Sequence, residues 1–92
     1  MISMFRTPRH ELIEQAVKCV AERSADVMFH EQMASYYKAE RDRLNPADSV
    51  TDAYEYARLF QKWTDALADG GTAERKLREA KAKHAALLKS SA

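Results

Sequence analysis

Neither glycine nor proline occurs between Pro8 and Pro46. These two residue types are the strongest helix breakers, so the stretch can run as one helix. Thr7-Pro8 is a suitable start, because Thr is a good N-cap and Pro is tolerated at the first helical position. Asn45-Pro46 ends the helix, since a residue before Pro is disfavoured in the α region. The sequence predicts a helix over 8–44, roughly 55 Å long at 1.5 Å per residue.

Two shorter helices are predicted in the rest of the chain. Ser49 followed by Asp52 is a weak capping box, with Asp in place of the usual Glu. Gly70-Gly71 is typical of a helix end, because glycine readily adopts the left-handed C-cap conformation. We therefore predict an all-α chain folded as one domain, 1–92, in which three helices at about 8–44, 50–68 and 73–89 form an antiparallel bundle.

The predicted core is small. Hydrophobic residues make up 46% of the 92 residues, but sixteen of them are Ala, which fills little volume. A chain of this length buries only about 60–65% of its unfolded surface. We assign one broad side of the second helix to this core: Ala53, Tyr56, Ala57, Leu59, Phe60, Trp63, Thr64 and Leu67. A core this thin favours completion by a second copy, and we expect a homodimer.

Composition indicates a soluble, cytoplasmic protein. The mean hydropathy is −0.59, 32% of residues are charged, and no apolar run approaches the length of a membrane span. The first residues become charged too early for a secretory signal. Cys19 is the only cysteine, so no internal disulfide is expected and a reduced thiol is the simplest interpretation.

The apolar stripe of the long helix changes direction near its middle. From Ile13 to Met28 one side is apolar, and its continuation past Met28 is polar. The next large apolar residues, among them Phe29 and Tyr36, lie on roughly the opposite side. No Pro or Gly is near enough to kink the helix. We therefore expect an unbroken helix whose two halves make contacts in different directions.

The second half of this helix is the predicted protein interface: Phe29, Met33, Tyr36, Tyr37 and Leu44. Tyrosine is enriched at protein interfaces. Together with the missing catalytic motifs, this set favours a non-enzymatic helical protein that acts by binding another protein. Adaptors, inhibitors and accessory, chaperone-like regulators, including many bacterial and phage-encoded ones, are often small helical proteins of this kind. We expect this protein to work as a homo-oligomer.

Enzymatic function is not indicated. Nucleophilic catalysis needs a Ser, Thr or Cys beside a base and an anion-stabilising pocket. The sequence contains no motif that predicts such an arrangement. The only glycines are the adjacent Gly70 and Gly71, so no phosphate-binding loop matches. We expect neither a catalytic residue nor a cofactor.

The alternative function is nucleic-acid binding through the basic C-terminal end. Residues 1–70 carry nine Lys and Arg against twelve Asp and Glu, whereas residues 71–92 carry six against two. A basic amphipathic helix can bind phosphate backbones. Cations also suit a helix C-terminus without any ligand, so a solvated face remains open. The candidate residues are Arg75, Lys76, Arg78, Lys81 and Lys83.

A weaker alternative is a metal-binding bundle. Glu22, Asp26 and His30 repeat at four-residue spacing, which places them along one stripe, and all three residue types ligate metals. Helical di-metal sites, however, use Glu-x-x-His pairs, and the chain contains none. We therefore expect no metal site.

Overall fold

The protein is a two-helix antiparallel hairpin. A computed structural model describes residues 8–90, in which α1 spans Arg9–Asp42 and α2 spans Val50–Lys89. The hairpin measures 72 × 25 × 13 Å, and the described residues contain no strand. Neither α1 nor α2 combines the length and the apolarity that crossing a membrane requires. The prediction of an all-α fold is confirmed.

The turn between the helices is held by hydrogen bonds from its polar residues. The Ser49 hydroxyl accepts the Asp52 backbone N–H at 3.3 Å, as predicted. The Asp52 carboxylate does not return to Ser49. It accepts the backbone N–H of Asn45 at 3.1 Å and thereby ties the turn to the start of α2. At the other end α1 begins directly after Pro8, and Thr7, the predicted N-cap, lies outside the described residues.

The predicted break at Gly70-Gly71 is wrong, and with it the division into three helices. α2 continues through both glycines, and neither has a positive φ, so the left-handed cap does not form. Gly70 instead faces α1, where a Cβ built on it would lie 3.6 Å from the Cβ of His30. The contact with α1 outweighs the low helix propensity of two glycines, which costs about 1 kcal/mol each relative to Ala.

One continuous line of residues, the packing seam, joins the two helices. Residues on the seam recur at alternating spacings of three and four, the heptad pattern of a coiled coil. All of them are buried or half-buried. On α1 the seam holds Ile13, Ala16, Val20, Arg23, Val27, His30, Ala34, Tyr37 and Arg41, and Leu44 continues it just past the end of the helix. On α2 it holds Tyr56, Leu59, Trp63, Ala66, Gly70, Ala73, Leu77, Ala80, His84 and Leu87.

α1 is unbroken through residues 28–31, as expected, but its two halves do not pack in different directions. The packing seam keeps one line along the whole helix because the polar residues Arg23, His30 and Arg41 are half-buried and continue it between the apolar positions. Phe29 and Tyr36 lie beside this line and are exposed. The apparent change in direction of the apolar stripe therefore comes from extra apolar residues exposed beside the packing seam, which itself continues straight along α1.

The broad side assigned to the core of α2 is also split. Tyr56, Leu59 and Trp63 belong to the packing seam. Phe60 and Leu67 are exposed, and Ala53 and Ala57 with them. A single neighbouring helix covers only a narrow strip of α2, since a coiled-coil seam is narrower than the stripe of a helix in a globular bundle.

The interior is made almost entirely of alanine. The buried hydrophobic residues of the described chain are Ala16, Ala34, Leu59, Ala66, Ala73 and Ala80, and no side chain there is less than 2% exposed. Small side chains allow the two helix axes to approach closely. They remove little apolar area from water, so the hairpin depends on its length for stability.

Near the turn, an arginine replaces a large apolar residue in the seam. The Arg41 guanidinium carbon lies 4.7 Å from the centre of the Trp63 ring, 5.6 Å from that of Phe60 and 5.8 Å from that of Tyr56. Its side chain is only 12% exposed and pairs with Asp42 at 3.1 Å. The aliphatic part of Arg41 can pack in the seam while the cation rests on aromatic faces.

At the opposite end, Arg9 joins the start of α1 to the end of α2. Its guanidinium donates to the backbone oxygen of Ser90 at 2.9 Å, to the Ser90 hydroxyl at 3.1 Å and to the backbone oxygen of Leu87. The last carbonyls of a helix lack partners within the helix and carry partial negative charge, so a cation is favourable there.

Replacing Gly71 by Ala tests the continuity of α2. Gly71 has open space around the position of a Cβ and lies inside a helix. We expect Gly71→Ala to raise the free energy of unfolding by about 0.5–1 kcal/mol, measured by urea denaturation with circular dichroism. A left-handed helix end at this position would give the opposite sign. Gly70→Leu is the contrasting variant, because it forces a large side chain against His30, and it should destabilise by about 1–3 kcal/mol.

Replacing Arg41 by Ala tests the aromatic contacts at the turn. The partly buried cation contacts three rings, so we expect Arg41→Ala to lower the free energy of unfolding by about 1–2 kcal/mol. Trp63 is the only tryptophan, so its fluorescence reports the local change directly. Arg43→Ala is the control, because that side chain is 75% exposed and its ion pair with Glu40 lies at the surface. It should change stability by less than about 0.5 kcal/mol.

Candidate protein-binding surface

Four of the five predicted interface residues lie together on one side of the hairpin. We call this surface the aromatic face: Phe29, Met33, Tyr36 and Tyr37 on α1, with Arg58, Lys62, Asp65 and Asp69 on α2. Phe29, Met33 and Tyr37 line an open depression of about 240 Å³ whose other wall is formed by α2 residues between Lys62 and Asp69. The fifth residue, Leu44, continues the packing seam at the turn and is half-buried, so it belongs to the hairpin itself.

The rings of the aromatic face are held by their neighbours. Phe29 packs edge-on against His30 with ring centres 5.3 Å apart, and Tyr36 packs edge-on against Tyr37 at 5.6 Å. The Lys62 ammonium lies 5.7 Å from the centre of the Tyr37 ring. Tyr37 is thus fixed between the helices. Phe29 and Tyr36 remain 57% and 56% exposed.

A charged rim surrounds these rings on the α2 side. Arg58 donates to Glu55 at 2.8 and 3.3 Å, and this hydrogen bond holds the pKa of Glu55 below its ordinary value. The same bond raises the pKa of Arg58, and the nearby Tyr37 and Tyr36 contribute smaller effects in the same direction. An apolar, aromatic centre with a polar rim is the usual anatomy of a protein interface.

The predicted nucleic-acid-binding residues do not share one side of α2. All five are exposed. Lys76 and Lys83 line depressions on the same side as the aromatic face, beside Cys19 and Arg23. Helical periodicity places Arg78 and Lys81 on the other side of the hairpin. Their positive charge is therefore spread around the helix. Arg75 lies 4.0 Å from Glu79, which offsets part of that charge.

Two of the three metal-ligand candidates contact other side chains, and the third is exposed. Asp26 lies 3.6 Å from Arg23, and His30 packs in the seam against Phe29. Glu22 is exposed. Between residues 8 and 90, no group of three or more His, Cys, Asp or Glu side chains is placed to hold a metal ion.

Sequence reasoning missed a second exposed stripe, on α2. Val50 and Tyr54 are 74% and 75% exposed, and Phe60 and Leu67 are also exposed. A depression of about 520 Å³ lies at the turn end of this stripe, lined by Pro46, Ala47, Asp48, Ser49, Val50, Ala53, Tyr54 and Ala57. The signal was present in the sequence, because the apolar side of α2 is too wide for one seam.

The chain matches no protein-family model, and neither a curated protein nor a solved structure is significantly similar to it. Its function therefore has to be argued from its own surfaces.

Substitutions on the aromatic face should separate surface residues from structural ones. Phe29→Ser and Tyr36→Ser remove side chains that are more than half exposed, so we expect each to change the free energy of unfolding by less than about 0.5 kcal/mol. Tyr37→Ser removes a ring from the seam and should cost about 1–3 kcal/mol. Thermal and urea denaturation check both. Equal losses for Tyr36 and Tyr37 would show that Tyr36 also supports the hairpin.

Proposed function

We propose that this is a non-enzymatic protein that acts by binding another protein through the aromatic face, and that it works as a homo-oligomer. An adaptor, an inhibitor or a chaperone-like accessory regulator fits this activity. The observation that carries the proposal is the exposure of Phe29 and Tyr36, two aromatic rings that the hairpin holds in place but does not bury.

Preorganisation supports this assignment. Both rings stand on a helix that is continuous from Arg9 to Asp42, and each is packed against a neighbouring ring. Binding therefore orders few side chains, and the entropic cost per aromatic contact is small. Aromatic residues in such positions provide much of the binding energy at interfaces. The rim of Arg58, Lys62, Asp65 and Asp69 can add specificity through charge.

The small interior supports an oligomer. Large hydrophobic side chains are exposed along the whole described length: Leu12, Val17, Met28, Phe29, Tyr36, Val50, Tyr54, Phe60, Leu67 and Leu88. Among residues 8–90, Leu59 is the one large side chain in the buried hydrophobic set. An isolated hairpin with this distribution leaves many large apolar side chains in contact with water, and association is the direct way to cover them.

Site-specific photocrosslinking in the native host tests the binding proposal. A benzophenone amino acid is placed at Tyr36 on the aromatic face and, as a matched control, at Ala82 on an exposed part of α2. We expect a defined protein to be crosslinked from position 36 and not from position 82. Adding Phe29→Ser should reduce this crosslinking at least about fivefold, because the neighbouring anchor is lost. Identical products from both positions would contradict a specific surface.

A salt titration separates this function from nucleic-acid binding. If Lys76, Arg78 and their neighbours bound phosphate backbones, duplex DNA or RNA would bind at low salt and lose affinity steeply as salt rises. We expect any dissociation constant for duplex DNA or RNA at low salt to be above about 100 µM, measured by fluorescence anisotropy with labelled duplexes. Micromolar binding that is weakened by Lys76→Ala and Lys83→Ala would instead favour the nucleic-acid function.

A further inference from the structure

α2 carries a second heptad seam on its solvent side. Val50, Ala53, Ala57, Phe60, Thr64, Leu67 and Gly71 recur at alternating spacings of three and four, as the packing seam does, and we call them the outer seam. Val50, Ala53, Ala57, Phe60, Leu67 and Gly71 are exposed, and Thr64 is half-buried. Seven positions in this phase place one continuous line along the helix, and α1 reaches it through Arg41, which lies 5.6 Å from the centre of the Phe60 ring, while leaving most of the line exposed.

The outer seam is uncharged over its whole length, and so is its flank on the side away from α1. Tyr54, Gln61 and Ala68 lie beside it on the outer surface. Beyond Gly71 the same line becomes charged, with Glu74, Arg78 and Lys81. The uncharged part thus begins at the turn and ends about halfway along α2. A heptad line without charge is the surface that another α-helix with an apolar seam covers by knobs-into-holes packing.

We propose that the outer seam binds the outer seam of a second copy of this chain, with the two α2 helices antiparallel and the halves of α2 nearest the turn overlapping. This inference rests on the homo-oligomer part of the proposed function and assigns it to a surface other than the aromatic face. The arrangement is isologous, as expected for a two-fold dimer.

The order of side chains along the outer seam suits this register. Ala57 of one copy lies opposite Phe60 of the other, Ala53 opposite Thr64, and Val50 opposite Leu67. Each pair occurs twice across the two-fold axis, which gives six layers without a charge. Gly71 then reaches the second copy's turn at Pro46, where it leaves room for the backbone. The charged residues that follow Gly71 project past that turn into water.

Charge disfavours the other two-fold arrangement. In that arrangement both turns lie at the same end of the dimer, and α1 of one copy packs against α2 of the other. Contacts within the hairpin show which positions of α1 and α2 lie at the same height. His30 lies against Gly70, Tyr37 lies beside Lys62, and Arg41 lies over Phe60. Covering the outer seam with α1 would therefore set Lys38 against Phe60 and Asp42 against Ala57. Packing these charged side chains against apolar residues would remove them from water without a partner, which is unfavourable.

The antiparallel arrangement also provides a favourable charge contact. Lys38 and Asp42 lie on the outer-seam side of α1, close to the turn, and both are exposed. In the proposed dimer Lys38 of one copy comes within about one helical turn of Asp42 of the other. The opposite charges attract, and the contact forms twice.

The overlap is large enough for a reversible dimer. Residues 50–67 of the two copies overlap over about 27 Å at 1.5 Å per residue, and one helix with its side chains is about 10–12 Å across. The contact strip between the two α2 helices is therefore roughly 300 Å² per copy, smaller than the ~800 Å² of a standard interface and of the size of a weak, reversible contact. A dissociation constant on the order of 10–100 µM is expected.

Analytical ultracentrifugation over about 1–500 µM tests the proposal, with Ala57→Glu as the main variant. Ala and Glu are both good helix formers, so the exposed substitution should leave the circular dichroism of the hairpin unchanged. It places two carboxylates in the central layers and should raise the dissociation constant at least about tenfold. Ala82→Glu, an identical change at an exposed position of α2 outside the outer seam, should have no effect.

Disulfide crosslinking tests the antiparallel direction. In a Cys19→Ser background, the double variant Ala53→Cys/Thr64→Cys should form a covalent dimer on oxidation. Positions 53 and 64 are roughly 16 Å apart within one chain, too far for an internal disulfide. Ala53→Cys alone should stay uncrosslinked, since two copies of this position meet only in a parallel dimer.

Three results would overturn the proposal: a strict monomer over the whole concentration range, a dimer that Ala57→Glu leaves intact, or efficient crosslinking through Ala53→Cys alone. The binding function is tested separately, because photocrosslinking from position 36 should persist in Ala57→Glu. Loss of that crosslinking alone would count against the aromatic face and leave the dimer standing.

Discussion

The close approach of two long helices along a seam of small residues is the constraint on which the whole structure depends. Ala16, Ala34, Ala66, Ala73 and Ala80 let the axes come near, and Gly70 extends the same approach at its contact with His30. A seam of this kind is narrow. It occupies one line on each helix and leaves every other line to water, so many large apolar side chains, Phe29, Tyr36 and Phe60 among them, lie outside it.

The helical class, the turn and the continuity of α1 were readable from the sequence, because they follow from local rules. Proline, the Ser49 cap and the absence of breakers act within a few residues. The break at Gly70-Gly71 could not be judged locally. Glycine ends a helix when it has freedom to turn, and here the contact with His30 gives it a packing role that only the three-dimensional arrangement shows.

The candidate site was partly predictable for a related reason. Phe29, Met33 and Tyr36 could be recognised from the sequence because they leave the apolar line of the first half of α1, whereas Tyr37 lies in the packing seam itself. Their neighbours Lys62, Asp65 and Asp69 are far away in sequence, so the rim required the fold. Phe60 and Leu67 were assigned to the core because a search for apolar residues does not distinguish one wide stripe from two adjacent seams.

The way the helix ends are joined has a mechanical consequence. Arg9 fastens the beginning of α1 to the end of α2, 81 positions later, and the turn closes the other end. Force applied across the Arg9 end would therefore load the hydrogen bonds of that one arginine first and then separate the seam one layer at a time. The layers that contain alanine, such as that of Ala16, would offer little resistance because they bury little apolar area. The aromatic rings around Arg41 lie next to the turn and would separate last.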